Sequence, residues 1–143
     1  MQIGITGASG HVGANLCRTL LANHFKLRAT VHETIAGITD LPIEKIKTDI
    51  TNSEQVENFT SGCDMVIHLA AKISIDGDPK GNVSAINLQG TRNIVNACKK
   101  YGVKKLIYFS SIHAHNAFPL HETLDEHRDY VSHHATPYDL SKV

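Results

Sequence analysis

The sequence has no excess of either charge: 14 Lys and Arg balance 14 Asp and Glu over 143 residues. Such a balance leaves no basic stripe for nucleic acid and no acidic tail. There is no long hydrophobic run. The longest spans a few residues, well short of the roughly 20 that cross a bilayer, which argues against a membrane partner. Met1-Gln2-Ile3-Gly4-Ile5 lacks the charged leader and apolar stretch of a signal peptide. Cysteine is scarce. Cys17, Cys63 and Cys98 are odd in number, widely spaced and without a C-x-x-C pair, which argues against a disulfide framework or a zinc site and points to a reducing, cytoplasmic compartment. Internal repeats and linkers are missing too.

What is present is an ordinary globular composition, 41% hydrophobic and 20% charged, in a length that fits one domain with a real core. Ile3 to Thr6 reads as a short apolar strand entering a glycine-rich turn. His11 to His24 follows as a helix, with Val12, Leu16 and Leu20 on one face. Lys26 to Val31, Ile43 to Thr48, Asp64 to Leu69 and Lys105 to Phe109 read as four further strands, their apolar centres suited to a parallel sheet buried on both faces. Between them lie a short helix from Ser53 to Phe59, with Ser53 as N-cap, and a long helix over Gly81 to Tyr101 closed by Gly102. Ser111 to Ala135 is polar, histidine-rich and non-periodic. Thr136-Pro137-Tyr138-Asp139 then opens a last helix, with threonine as cap, proline at the first position and an acid three residues after the cap. Strands alternating with helices predict an α/β doubly wound parallel sheet of the Rossmann type.

The glycine turn is the first functional signal. Gly7, Gly10 and Gly13 stand on a strand-to-helix junction. There one glycine permits a tight turn, the next lets backbone approach a pyrophosphate, and the third lets helix and sheet pack closely. Phosphates would sit over the positive end of the helix, near the amides of Ser9, Gly10, His11 and Val12.

With its G-x-x-G-x-x-G spacing, the chain resembles the extended branch of the short-chain dehydrogenase/reductase superfamily: epimerases, dehydratases and dihydroflavonol-reductase-like enzymes. Five more features match that family in order. They are Asp49-Ile50 after the third strand, His68-Leu69-Ala70-Ala71 ending the fourth, Asn87 followed by Gly90-Thr91, Ser110-Ser111 closing the fifth, and the Y-x-x-x-K of Tyr138 and Lys142. The resemblance covers the whole chain. It implies an NAD(P)-binding domain in which Asp49 and Ile50 hold the adenine and Leu69, Ala70 and Ala71 run along the cofactor's sugar. The usual acid position after the second strand falls on Val31, and the position that carries arginine in NADP-using relatives falls on His32, with Glu33 beside it. The cofactor is therefore NAD or NADP, with a slight lean to NADP.

The resemblance also implies catalytic roles. A carbonyl accepting hydride needs a proton donor at its oxygen, and Tyr138 is the candidate. A free tyrosine titrates at about 10, so a phenol working near neutrality needs roughly 4 kcal/mol of differential stabilisation. A lysine four positions on lies one turn along the same face, so Lys142 can put its ammonium beside the phenol. In the family this lysine also binds the nicotinamide ribose. Ser111, chosen over Ser110, would hydrogen-bond the substrate oxygen, and Asn87 would hold a water or backbone group behind Lys142. Taken singly, each has a plain structural counterpart: a surface pair for Tyr138 and Lys142, strand-end backbone bonding for the serines, an exposed helix position for Asn87, a cap or turn for Asp49.

Six histidines crowd His113 to His134. His113, His115, His133 and His134 invite comparison with metal ligands, but no fixed element presents them together, and a solvated loop over the catalytic mouth is the expectation, with no metal. Ile73-Ser74-Ile75 is expected to line the near side of the substrate pocket. Ile112-His113 lacks the acids of the family's dehydratases, and Ala114-His115-Asn116 replaces the V-Y-G of its epimerases. The expected activity is hydride transfer to or from a carbonyl or secondary alcohol, with an epimerase as alternative and a non-catalytic dinucleotide sensor as a third reading. Relatives run to about twice this length, so the C-terminal substrate domain is expected to be absent. The chain alone is expected to expose an apolar edge beside the fifth strand, bind cofactor poorly, turn over no substrate and be able to pair as a homodimer.

Overall fold

A computed structural model describes residues 1–74, 77–132 and 135–143. Five strands, β1 (Gln2–Thr6), β2 (Lys26–Val31), β3 (Glu44–Lys47), β4 (Met65–His68) and β5 (Lys105–Tyr108), form one sheet in the order β3-β2-β1-β4-β5. Every pairing is parallel. The expected doubly wound sheet is present, and β1 sits at its centre because the chain crosses first to one side and then to the other.

Side chains alternate across the sheet and build two cores. Ile3, Ile5, Leu27, Ala29 and Ile67 pack on one face with Cys17 of helix α1 (His11–Ala22). Val66 packs on the other with Val56 and Phe59 of α2 (Ser53–Thr60) and Ile94 and Cys98 of α4 (Thr91–Lys100). Adjacent residues Val66 and Ile67 thus serve opposite cores, as a doubly covered strand requires.

Four local details differ from the sequence expectation. Helix α1 ends at Ala22, because His24 turns left-handed at φ 62° and the Phe25 amide folds back onto the Leu20 carbonyl at 3.1 Å. The cap of α2 is Asn52, not Ser53: the Asn52 side chain accepts the Gln55 amide at 3.1 Å. The long helix is not uniform. A π-helical stretch, Ala85–Gly90, separates α3 (Asn82–Ser84) from α4 and buries Asn87. The last helix, α5 (Pro137–Leu140), is a single turn that stops two residues before Lys142. Its threonine cap, first-position proline and reciprocal Asp139 bond are as the sequence indicated. The histidine-rich segment is folded on itself: a 3₁₀ turn, Ile112–Ala114, is followed by backbone pairing of His115 with Tyr130.

The parallel register aligns Thr6 with His68, and His68 with Tyr108. All strands therefore end along one edge, and the residues that follow them converge there, at the point where strand order reverses.

Candidate active site

The cradle begins where β1 ends. Gly7 takes φ +69°, and a Cβ there would lie 2.7 Å from the Ala70 amide nitrogen. Only glycine allows this turn to press against the end of β4. A Cβ on Gly13 would strike the Gly7 carbonyl and lie 2.7 Å from Ala8 Cα, so α1 packs directly on the turn. The Gly10 amide closes the turn onto the Gly7 carbonyl at 3.1 Å. The first turn of α1 has neither a side-chain cap nor an acidic residue, so its positive end is left uncompensated by the chain. His11 and Val12 expose their side chains there.

A cleft of about 330 Å³ opens beside this turn. Gly7, Ser9, Gly10, His32, Asp49, Ile50, Leu69, Ala70 and Ala71 line it, so nine of the residues nominated from sequence share one surface. One Asp49 oxygen accepts both the Thr51 amide at 2.9 Å and the Thr51 hydroxyl at 2.7 Å, and these bonds hold its carboxyl below the usual range. Ile50 is buried, its carbonyl accepting from the Asn93 side chain at 2.9 Å. His32 is exposed, its Nδ1 3.9 Å from a Glu33 carboxylate oxygen.

At the other end of the edge, β5 delivers the two serines to different tasks. Ser110 donates to the Lys142 carbonyl at 3.1 Å. Ser111 accepts the His113 amide at 3.2 Å, which leaves its own proton available to another acceptor. His113 in turn lies 3.5 Å from an Asp139 carboxylate oxygen and sets its ring edge-on to Tyr138, centroids 6.2 Å apart. His115 is engaged with the Arg128 carbonyl at 2.8 Å and packs on Tyr130. His133, His134 and Ile75 lie outside the described residues, while Ile73 is exposed and Ser74 donates to the Gly77 carbonyl at 2.7 Å.

Lys142 is buried beside Tyr138, its Nζ 5.9 Å from that ring's centroid. Its hydrogen bond goes to the Phe109 carbonyl at 2.9 Å, and burial lowers its pKa. Asn87 holds the backbone of Lys72 and the hydroxyl of Ser141, the neighbour of Lys142. Its oxygen accepts the Lys72 amide at 2.7 Å, and its amide donates to the Lys72 carbonyl at 3.0 Å and to Ser141 Oγ at 2.8 Å. Ser141 donates to the Tyr138 carbonyl at 2.6 Å. Asn87 therefore ties the segment after β4 to the turn that carries Tyr138.

One buried chain was not foreseen as such. The Ala70 amide donates to Thr6 Oγ1 at 3.2 Å, Thr6 Oγ1 also lies 2.6 Å from His68 Nδ1, and His68 Nε2 lies 3.0 Å from Thr91 Oγ1. Burial, and secondarily the Lys142 ammonium, push the His68 pKa down to about 4. The available signal was a polar residue closing each of two adjacent apolar strands.

Comparison with known proteins places this geometry. Residues 4–143 match the model of the 3-beta hydroxysteroid dehydrogenase/isomerase family. The chain is 30% identical over 139 residues to a 2-alkyl-3-oxoalkanoate reductase of Shewanella oneidensis, covering 97% of this chain and 36% of that protein. It is 31% identical over 112 residues to sterol demethylase protein B of Methylococcus capsulatus, covering 77% of this chain and 34% of that protein. The chain thus spans about a third of the length of these curated relatives. The crystal structure of Thermus thermophilus UDP-glucose 4-epimerase in complex with NAD superposes with a TM-score of 0.84 at 24% identity, covering 99% of this chain and 47% of that one; at that identity the likeness concerns the fold. Matched over nearly its whole length, the chain belongs to the 3-beta hydroxysteroid dehydrogenase/isomerase family.

Proposed function

We propose that this chain supplies the dinucleotide-binding and proton-transfer parts of an NAD(P)-dependent oxidoreductase acting on a carbonyl or secondary alcohol. The observation that carries the reading is the shared sheet edge. The glycine turn with its cleft lies at one end; at the other, Lys142 Nζ lies 5.9 Å from the Tyr138 ring centroid, Ser110 reaches the Lys142 carbonyl, and His113, whose amide bonds Ser111 Oγ, sets its ring against Tyr138. The cradle fits a pyrophosphate because Gly7 presses its backbone against β4 while the positive end of α1 faces the turn uncapped.

When bound, the nicotinamide supplies or accepts the hydride at the substrate carbon. The chain's own residues handle the rest. Tyr138 gives its phenolic proton to the substrate oxygen during reduction and takes it back during oxidation. Ser111 donates to that oxygen and orients it. Lys142 keeps a positive charge near the phenol, which favours the phenolate form between the two transfers. Asn87 and Ser141 hold the turn that carries Tyr138.

The choice of cofactor rests on the ribose end. Among the described residues lining the cleft there is no arginine or lysine, and Glu33 stands beside His32. This favours NAD over the NADP inclination of the sequence, because a 2′-phosphate gains no permanent cation there. The 2-alkyl-3-oxoalkanoate reductase among the relatives supports a reductase over an epimerase, for which the support is likeness of fold alone.

NADH fluorescence titration of the wild-type chain and of Tyr138→Phe, with NADPH in parallel, tests the reading. Wild type and variant bind NADH alike and more tightly than NADPH, and under any conditions in which the wild type reduces a carbonyl the variant is about 10²–10⁴-fold slower. Absence of dinucleotide binding by the wild-type chain sinks the proposal. Equal and measurable turnover by wild type and variant removes Tyr138 from it.

A further inference from the structure

Lys142 is only 7% exposed, yet it carries an ammonium. Among the described residues its hydrogen bonding amounts to one contact, to the Phe109 carbonyl at 2.9 Å, and no carboxylate lies within ion-pair distance. A buried charge needs compensation, and one carbonyl engages only one of three ammonium protons. Two aromatic rings stand close by. Nζ lies 4.9 Å from the centroid of Tyr108 and 5.9 Å from that of Tyr138. Both are within the roughly 6 Å at which a ring's negative face attracts a cation, and Tyr108 is the nearer.

Tyr108 is well placed to hold a charge steadily. It ends β5, paired in register with His68, and its ring lies 5.7 Å from the His68 ring at a tilt of 33°. His68 is itself fixed by Thr6 and Thr91. The titratable groups around the Lys142 ammonium are thus Tyr108, Tyr138 and neutral His68.

We propose that Tyr108 is a positioning residue for Lys142, its ring face stationing the ammonium at the end of β5 and so setting the distance between that charge and Tyr138. The ring performs this role and the hydroxyl does not, so phenylalanine substitutes for tyrosine and an aliphatic side chain fails. The consequence for proton transfer rests on the proposed function, while the placement itself belongs to the lysine alone.

NMR of the full chain, with Lys142 assigned through Lys142→Arg, reads the placement directly. In wild type, the Lys142 CεH₂ protons show an upfield ring-current shift and nuclear Overhauser contacts to the Tyr108 ring. Tyr108→Phe keeps the shift, and Tyr108→Leu loses it. Lys142 protons at the position of exposed lysines in wild type overturn the proposal without any variant, so a Tyr108→Leu chain that fails to fold leaves it falsifiable. A folded Tyr108→Leu that retains the shift overturns it as well, leaving the Phe109 carbonyl as the holder. Wherever the wild type shows turnover, Tyr108→Leu lowers kcat about fivefold and Tyr108→Phe restores it. If the chain binds no NADH, the functional reading fails while the NMR result still decides the role of Tyr108.

Discussion

The two ends of the sheet edge are built from different materials. At the cradle, backbone does the work: Gly7 and Gly13 bring main chain against main chain, and the surrounding strands β1, β2 and β4 are largely buried. At the catalytic end, side chains do it. Asn87 donates to Ser141 Oγ, Ser110 to the Lys142 carbonyl and the Lys142 ammonium to the Phe109 carbonyl, beside an edge strand where Tyr108 and the following Phe109 are 36% and 43% exposed. The contrast teaches where each end is vulnerable. Adding one carbon breaks the cradle, whereas the catalytic end fails only when a particular functional group is removed.

The sharpest way to break this contrast is Gly13→Ala. The new methyl meets the Gly7 carbonyl and Ala8 Cα, both backbone atoms that cannot rotate away. The expected loss is about 4 kcal/mol of unfolding free energy, read by urea denaturation, together with loss of NADH binding. A variant of wild-type stability that still binds NADH would show that the turn has slack, and the contrast would fall.

Legibility in the sequence follows the same division. The strands, the glycine turn and the capping box of Thr136 and Asp139 were readable because each depends on neighbours within a few residues. Nine nominated residues line one cleft because strand ends in a parallel sheet must converge. The π-helical stretch at Ala85–Gly90 was not readable: Asn87 is drawn inward by Lys72 and Ser141, which lie 15 and 54 residues away. Nor was the cap of α2, where Asn52 and Ser53 are both good caps and only geometry chooses. The role of His68 escaped because a histidine at a strand end does not reveal its partners until Thr6 and Thr91 are placed against it.

His68 joins the two ends, and pH tests the joint. Its pKa falls from 6.5 in the unfolded chain to about 4 in the folded one, and the residue is 1% exposed. Between these values the unfolded chain holds the extra proton, so stability is fully present above about 6.5 and drains away as pH falls toward 4. The loss amounts to about 3 kcal/mol over that window. Denaturant unfolding at several pH values, compared with His68→Asn, isolates this contribution from that of the carboxylates. Parallel pH slopes in the two proteins would mean that His68 is not the neutral link between Thr6 and Thr91.

The smallest expected effect probes the independence of the catalytic end. Thr136 Oγ1 accepts the Asp139 amide and Asp139 Oδ2 accepts the Thr136 amide, each at 3.2 Å. Thr136→Ala removes one of these bonds at a cost of about 1 kcal/mol. Because α5 is a single turn that carries Tyr138, this loss loosens the phenol without touching the glycine turn. Turnover, wherever the wild type shows it, should therefore drop severalfold while the NADH dissociation constant stays put. A parallel weakening of NADH binding would mean that the cradle feels the last turn through Asn87 and Lys72, so that backbone and side-chain ends form one cooperative unit.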